Sequence, residues 1–308
     1  MKKIFIDGSV GTTGLRIFER LNSRDDVELL TLSEENRKDP VCRKEMLNKA
    51  DVAFLCLPDD AAREAVAMVE NPNTVIIDAS TAHRTLPDWA YGFPELSSAF
   101  EEKLLKSKRI AVPGCHASGF IALVYPLIEA GLLDKDTLFT CHSITGYSGG
   151  GKKMIAEYEG ADRNILLGAP RQYGLTQQHK HLKEMKGIVG LENAPMFSPI
   201  VADFYSGMTV TVPVFSSMLK GTLADVKKVY AEKYTGEIVT YVDSLDENGF
   251  VSGLALSQKD SMKITVCGNE ERIVLLAGYD NLGKGASGAA IECMNLVIGA
   301  DRTKGLIL

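Results

Sequence analysis

The chain has 308 residues, of which 45% are hydrophobic and 24% charged, with a formal net charge of −6 at pH 7. That length is enough for two domains and a sizeable core. The acidic balance argues against nucleic acid or an anionic membrane as partner, and no apolar run approaches the ~20 residues of a membrane span.

The opening Met-Lys-Lys-Ile-Phe-Ile-Asp-Gly turns polar and glycine-rich too early for a signal peptide. Residues 2–6 instead predict a strand, and residues 15–21 an amphipathic helix. Between them lies Gly8-Ser9-Val10-Gly11-Thr12-Thr13-Gly14. The spacing is Gly-x-x-Gly-x-x-Gly, yet a glycine turn between strand and helix still lets the backbone approach a pyrophosphate at the helix N-terminus. Gly8, Ser9, Gly11, Thr12, Thr13 and Gly14 are therefore candidate cofactor contacts.

Further strands are predicted over residues 27–32, 51–57, 74–79 and 109–112, with helices over 42–50, 59–70 and 97–107. Near-continuous apolar strands alternating with helices predict an α/β fold, a Rossmann-type doubly wound parallel sheet covered on both faces. After the second strand come Ser33, Arg37 and Lys38. A hydroxyl and two cations suit the extra phosphate of NADP. Glu34 and Glu35 stand beside them, either of which could face a ribose instead.

Cys115 follows a Pro-Gly turn and begins a helix predicted over 115–133. A thiol there faces unpaired N–H groups at the positive helix end, which favours the reactive thiolate. A buried structural cysteine is the alternative. The chain's other cysteines, Cys42, Cys56, Cys141, Cys267 and Cys293, form no Cys-x-x-Cys pair with it or each other. That pattern suits free thiols in a reducing cytoplasm.

Beyond residue 138 the alternation is less regular, which predicts an α+β domain with a mixed sheet. A strand over 138–145 leads into a loop, Gly146-Tyr-Ser-Gly-Gly-Gly-Lys-Lys153. Neither this segment nor Gly278–Lys284 has the Ser or Thr with which a P-loop holds magnesium, so an NTPase is rejected. Read as a flexible loop, it offers Ser148, Lys152 and Lys153 to an anionic substrate. His179 and His181 share one face if extended and diverge if helical. No further ligands appear at zinc-site spacing, so no metal is expected. An imidazole that serves a distant cysteine is the functional reading. His116 is the poorer base for Cys115, because adjacent helical side chains diverge. Strands are expected within 199–215 and over 238–242, 262–268 and 272–277, a helix over 217–234, and a last apolar helix over 285–299.

Together these motifs resemble the N-acetyl-gamma-glutamyl-phosphate reductases, in their shorter, type 2 form. The resemblance spans nearly the whole chain and rests on the Gly8/Gly11/Gly14 turn, Tyr91-Gly-Phe-Pro-Glu-Leu96, Pro113-Gly-Cys115, Ser148-Gly-Gly-Gly-Lys-Lys153, His179-Lys-His181 and Asp280-Asn-Leu-Gly-Lys-Gly-Ala-Ser-Gly288. The chain departs from the commoner form at His116-Ala-Ser-Gly and at Ser80-Thr-Ala-His-Arg84.

The resemblance implies NADPH-dependent reduction of N-acetyl-L-glutamyl 5-phosphate through a Cys115 thioester, in arginine biosynthesis. It also implies a cytoplasmic homodimer or homotetramer with no metal. The implied organisation is a dinucleotide-binding domain of residues 1–114 with 286–308, and a glyceraldehyde-3-phosphate dehydrogenase-like catalytic domain of 115–285. Arg84, matched to a carboxylate by its guanidinium, is the expected substrate clamp, and Asn281 a further cofactor contact. Two other readings stand beside this one: an aspartate-semialdehyde dehydrogenase-like enzyme, and a non-catalytic NADP-binding redox sensor.

Overall fold

A computed structural model describes all 308 residues. In chain order the elements are β1 (Lys2–Asp7), α1 (Thr12–Leu21), β2 (Val27–Leu30), α2 (Pro40–Lys49), β3 (Val52–Leu55), α3 (Asp59–Ala67), β4 (Val75–Asp78), β5 (Ala90–Tyr91), α4 (Ser98–Lys106), β6 (Arg109–Ala111) and α5 (Cys115–Glu129). They continue as β7 (Thr140–Gly146), α6 (Gly151–Glu159), β8 (Arg171–Gln172), α7 (Lys180–Val189), β9 (Met196–Ala202), β10 (Met208–Phe215), α8 (Leu223–Lys233), β11 (Val239–Tyr241), β12 (Met262–Gly268), β13 (Arg272–Tyr279) and α9 (Gly288–Ile298). The chain divides into two compact units, Met1–Pro113 with Ala286–Ile307, and Gly114–Gly285 with Leu308.

The first unit is built on a six-stranded sheet in the order β2-β1-β3-β4-β6-β5. Every pairing in it is parallel. Successive residues of β1 serve opposite cores. Ile4 and Ile6 pack with Ile17, Phe54, Ile110 and the α9 residues Ile291 and Met294. Phe5 packs with Leu47, Ala53, Leu55 and Ala65. A strand buried on both faces must be apolar at every position, which is why the sequence shows runs here rather than alternation. Because β1 pairs with β2 on one side and β3 on the other, the sheet order reverses there, and Gly8 follows directly on β1.

The second unit carries a seven-stranded mixed sheet, β11-β12-β13-β10-β7-β9-β8. Strands β7 and β9 run parallel, while β10 pairs antiparallel with β7 and β13. Helix α5 is buried along nearly its whole length and packs against β10, β13, α7 and α8. It ends at Glu129, four residues before its predicted limit, where Gly131 takes a left-handed φ of +71°. Residues 147–159 correct the expected flexible loop. They form a short 3-10 turn, Tyr147–Gly150, that runs into α6. Tyr158 anchors that helix, stacking on Tyr147 with ring centroids 4.7 Å apart.

Candidate active site

In the first unit the glycine turn has the shape its spacing demands. Gly8 has φ +87°, and a Cβ there would lie 2.3 Å from the carbonyl oxygen of Cys56. A Cβ on Gly14 would lie 2.4 Å from the carbonyl oxygen of Gly8. Gly11 N–H donates to Gly8 O at 3.0 Å, and Gly11 caps α1 without any side-chain hydrogen bond. A side chain-free turn feeding an uncapped helix N-terminus fits the pyrophosphate of a dinucleotide. Thr12 and Thr13 open the helix and Ser9 lies within the turn. Beyond β2, Arg37 N–H donates to Ser33 O, which curls 33–37 into a turn. Arg37 also pairs with Glu34 at 3.1 Å. Ser33 and Lys38 remain exposed beside it.

In the second unit Cys115 is the first residue of α5, half-buried, after an N-cap glycine with no side-chain bond. Glu184, on α7, accepts the Gly114 N–H at 2.7 Å. His181 is one turn before Glu184, so both lie on the face of α7 that meets the start of α5. Tyr279 reaches the same turn from β13. Its hydroxyl donates to Cys115 O at 2.5 Å and accepts from Gly119 N–H at 3.0 Å. Gly285 backs the cysteine, since a Cβ there would sit 3.0 Å from Cys115 Cβ.

Three imidazoles gather around this turn. His179 and His181 have ring centroids 4.7 Å apart, and His116 lies 5.8 and 5.6 Å from them. The histidine pair neither runs extended nor lies wholly within a helix. His179 is the N-cap of α7, and its Nδ1 accepts the His181 N–H at 3.2 Å. His116 is buried, with Nδ1 2.6 Å from Ser143 Oγ and Nε2 2.7 Å from Tyr173 Oη. Burial, with a smaller contribution from His179, pulls the His116 pKa down to about 3. Burial, then the charge of Lys180, also lowers His179. Two of the other thiols are pushed toward the protonated form. Loss of solvent, then the Asp78 and Asp7 carboxylates, push Cys56 up to about 12, and burial raises Cys141 well above the ordinary thiol range.

Arg84 is buried, and its Nε donates to Val112 O at 2.8 Å and its Nη2 to Ala79 O at 3.0 Å. Through these bonds Arg84 bridges the ends of β4 and β6. Ser148 is buried and accepts from Asn281 Nδ2 at 3.0 Å, while Asn281 Oδ1 accepts from Gly207 N–H at 2.9 Å. Both ends of the Asn281 amide thus tie loops of the second unit. Lys152 and Lys153 lie exposed in the first turn of α6.

Sequence reading missed Tyr173, Ser143 and Tyr279 altogether. It set His116 aside as the poorer base. Only contacts between residues distant in sequence reveal these roles. The described residues contain no group of three or more metal-ligating side chains, and no helix is long and apolar enough to cross a membrane.

Residues 3–103 match the family model described as semialdehyde dehydrogenase, NAD binding domain. Residues 115–281 match that described as semialdehyde dehydrogenase, dimerisation domain. Over 307 residues the chain is 46% identical to the N-acetyl-gamma-glutamyl-phosphate reductase of Rhizobium meliloti, covering 97% of this chain and 99% of the relative. It is equally similar, at 46% over 306 residues, to that of Brucella ovis, with 96% and 99% covered. Among solved structures, aspartate semialdehyde dehydrogenase II of Vibrio cholerae superposes with a TM-score of 0.73 at 17% identity, covering 97% of this chain and 98% of that one. The aspartate semialdehyde dehydrogenase with NADP from Candida albicans gives 0.70 at 15%, covering 97% and 99%. At such identities the likeness to these structures is one of fold.

Proposed function

The chain belongs to the N-acetyl-gamma-glutamyl-phosphate reductases, enzymes of arginine biosynthesis, and on that premise we propose that it reduces N-acetyl-L-glutamyl 5-phosphate with NADPH through a thioester on Cys115. The placement of Cys115 carries this reading, at an uncapped helix N-terminus whose preceding N–H is held by Glu184 of the helix that carries His181. The helix end favours the thiolate, and an imidazole of the cluster can take and return a proton.

Attack by the Cys115 sulfur on the acyl carbon forms the C–S bond, and the C–O bond to phosphate breaks as phosphate leaves. Bound NADPH supplies the hydride that reduces the thioester carbon. Collapse of the resulting adduct breaks the C–S bond, releases N-acetyl-L-glutamate 5-semialdehyde and returns the thiolate. His181 is the acid/base in this reading. His179 uses its Nδ1 lone pair to cap α7, whereas His181 shares the Glu184 face turned to Cys115. Glu184 fixes the turn before the nucleophile.

The preference for NADP rests on Ser33, Arg37 and Lys38, with Glu34 neutralised by its pairing with Arg37 rather than presented to a ribose. Ser9, Thr12, Thr13 and the three glycines hold the pyrophosphate. The match to a dimerisation domain supports assembly as a homodimer or homotetramer.

The test runs the reaction backwards with NADP, phosphate and N-acetylglutamate semialdehyde, comparing the wild type with Cys115→Ala. Loss of at least about a thousandfold in kcat is expected for removal of a covalent nucleophile. Retained turnover would exclude the thioester. Preference for aspartate semialdehyde would reassign the substrate.

A further inference from the structure

His116 follows the nucleophile directly, and both of its ring nitrogens are engaged. Which nitrogen carries the hydrogen is decided by its neighbours. Ser143 is fully buried on β7, and the His116 ring is the one hydrogen-bond partner of its hydroxyl. If Nδ1 carried the hydrogen, the Ser143 hydroxyl hydrogen would be buried with no acceptor, at a cost of about 1–3 kcal/mol. The satisfied arrangement has Ser143 donating to Nδ1 and Nε2–H donating to Tyr173 Oη. The Tyr173 hydroxyl makes no other hydrogen bond, and the residue is only partly buried. Its own hydrogen is then left for a group outside the protein.

We propose that the Ser143–His116 pair fixes the Tyr173 hydroxyl as a hydrogen-bond donor to the acyl oxygen of the group carried on Cys115. Tyr173 thereby becomes a catalytic residue, with Ser143 and His116 as its positioning residues. The inference rests on the thioester chemistry given above, and it adds a donor where negative charge develops on the carbonyl oxygen. The phenol shares its proton and does not lose it. Burial, then the nearby Cys115 thiolate, raise the Tyr173 pKa, which keeps it a donor throughout the working range. The low pKa of His116 likewise keeps the ring neutral, so the direction of the relay does not change with pH.

The wild type is tested first, by 15N NMR of histidine-labelled protein, with His116 assigned by the signal missing from His116→Gln. The expected spectrum has a protonated Nε2 and an unprotonated, hydrogen-bonded Nδ1, unchanged from pH 8 to pH 5. A hydrogen on Nδ1, or titration in that range, overturns the relay whether or not the enzyme is active.

Kinetics then tests the role. Tyr173→Phe should lower kcat about a hundredfold with little change in substrate KM, the effect of removing one oxyanion donor. Ser143→Ala should lower kcat severalfold in the wild type and not at all in the Tyr173→Phe background. Full kcat in Tyr173→Phe would exclude the donor, and an undiminished Ser143→Ala effect in that background would make Ser143 merely structural. A wild type that fails to turn over the semialdehyde would instead fault the substrate assignment, leaving the NMR result to stand by itself.

Discussion

His179 and His181 differ in task although they are two residues apart. The first ends a loop and the second begins a helix, so an N-cap bond joins them and their rings converge. Asn is among the best N-cap residues. His179→Asn should therefore keep α7 in place and retain kcat within about threefold, whereas His181→Asn should lower kcat by the ~10²–10⁴-fold typical of a general acid/base. Steady-state assays of the two variants decide the assignment, and the reverse ranking would move the role to His179.

The buried His116 makes a separate prediction about stability. Its pKa is about 3 when folded and ~6.5 when unfolded. Below pH 6.5 the unfolded chain binds a proton that the folded one refuses, so stability present above that pH is lost as pH falls toward 3. The slope is about 1.4 kcal/mol per pH unit for this one group. Denaturant unfolding at pH 7 and pH 5 should show it, and His116→Gln should remove its share. The identity of Cys115 and of the histidine pair was legible in the sequence. The location of His116 at the centre of the cluster was not, because Ser143 on β7 and Tyr173 just past β8 come to it from 27 and 57 residues away.

At the scale of elements, glycines were the most legible signal and also the most misleading. Gly8, Gly11 and Gly14 lie between a strand and a helix, and their turn formed as their spacing required. Gly14→Ala would put a Cβ 2.4 Å from Gly8 O, backbone against backbone, where neither group can rotate away. About 1–3 kcal/mol of stability and most of the dinucleotide affinity should be lost, as read from denaturation and from NADPH fluorescence titration. Unchanged affinity would place the pyrophosphate elsewhere.

The glycines at 146–151 read as a flexible loop but fold into a turn and α6, because Tyr147, Tyr158 and Arg171 stack across them. Gly119 has a different purpose, which no local pattern announces. It makes room inside α5 for the Tyr279 hydroxyl, which a Cβ would approach to 2.6 Å. Tyr279→Phe keeps the ring and loses both bonds of the hydroxyl, to Cys115 O and from Gly119 N–H, so about 1–3 kcal/mol of stability should go. Gly119→Ala should be the more damaging, since the new Cβ would also meet Val210 at 2.6 Å.

At the scale of the molecule, the chain returns to its first unit only at the end. The apolar, small-residue pattern of the last helix showed that it would be buried, and its partners are now defined. Ala289, Ala290, Ile291 and Met294 of α9 pack with Ile4, Ile17, Phe54 and Ile110. Polar ties secure the tail: Arg24 Nη1 donates to Asn295 Oδ1 at 2.6 Å and to Lys304 O at 2.9 Å, and Arg302 pairs with Glu101 at 2.5 Å. The exposed ion pairs contribute little, so the apolar face decides the energetics. Fully burying Ile291 and Met294 contributes about 1.5–3 kcal/mol each, a large part of the ~5–15 kcal/mol by which a domain is stable. A chain ending at Gly285 would expose that whole face of the sheet. It should lose NADPH binding and be cut rapidly by protease within residues 1–113, and Ile291→Ala should show the same defect in milder form at about 2–5 kcal/mol. A truncated chain that bound NADPH normally would mean that the sheet and its four preceding helices hold the cradle without α9.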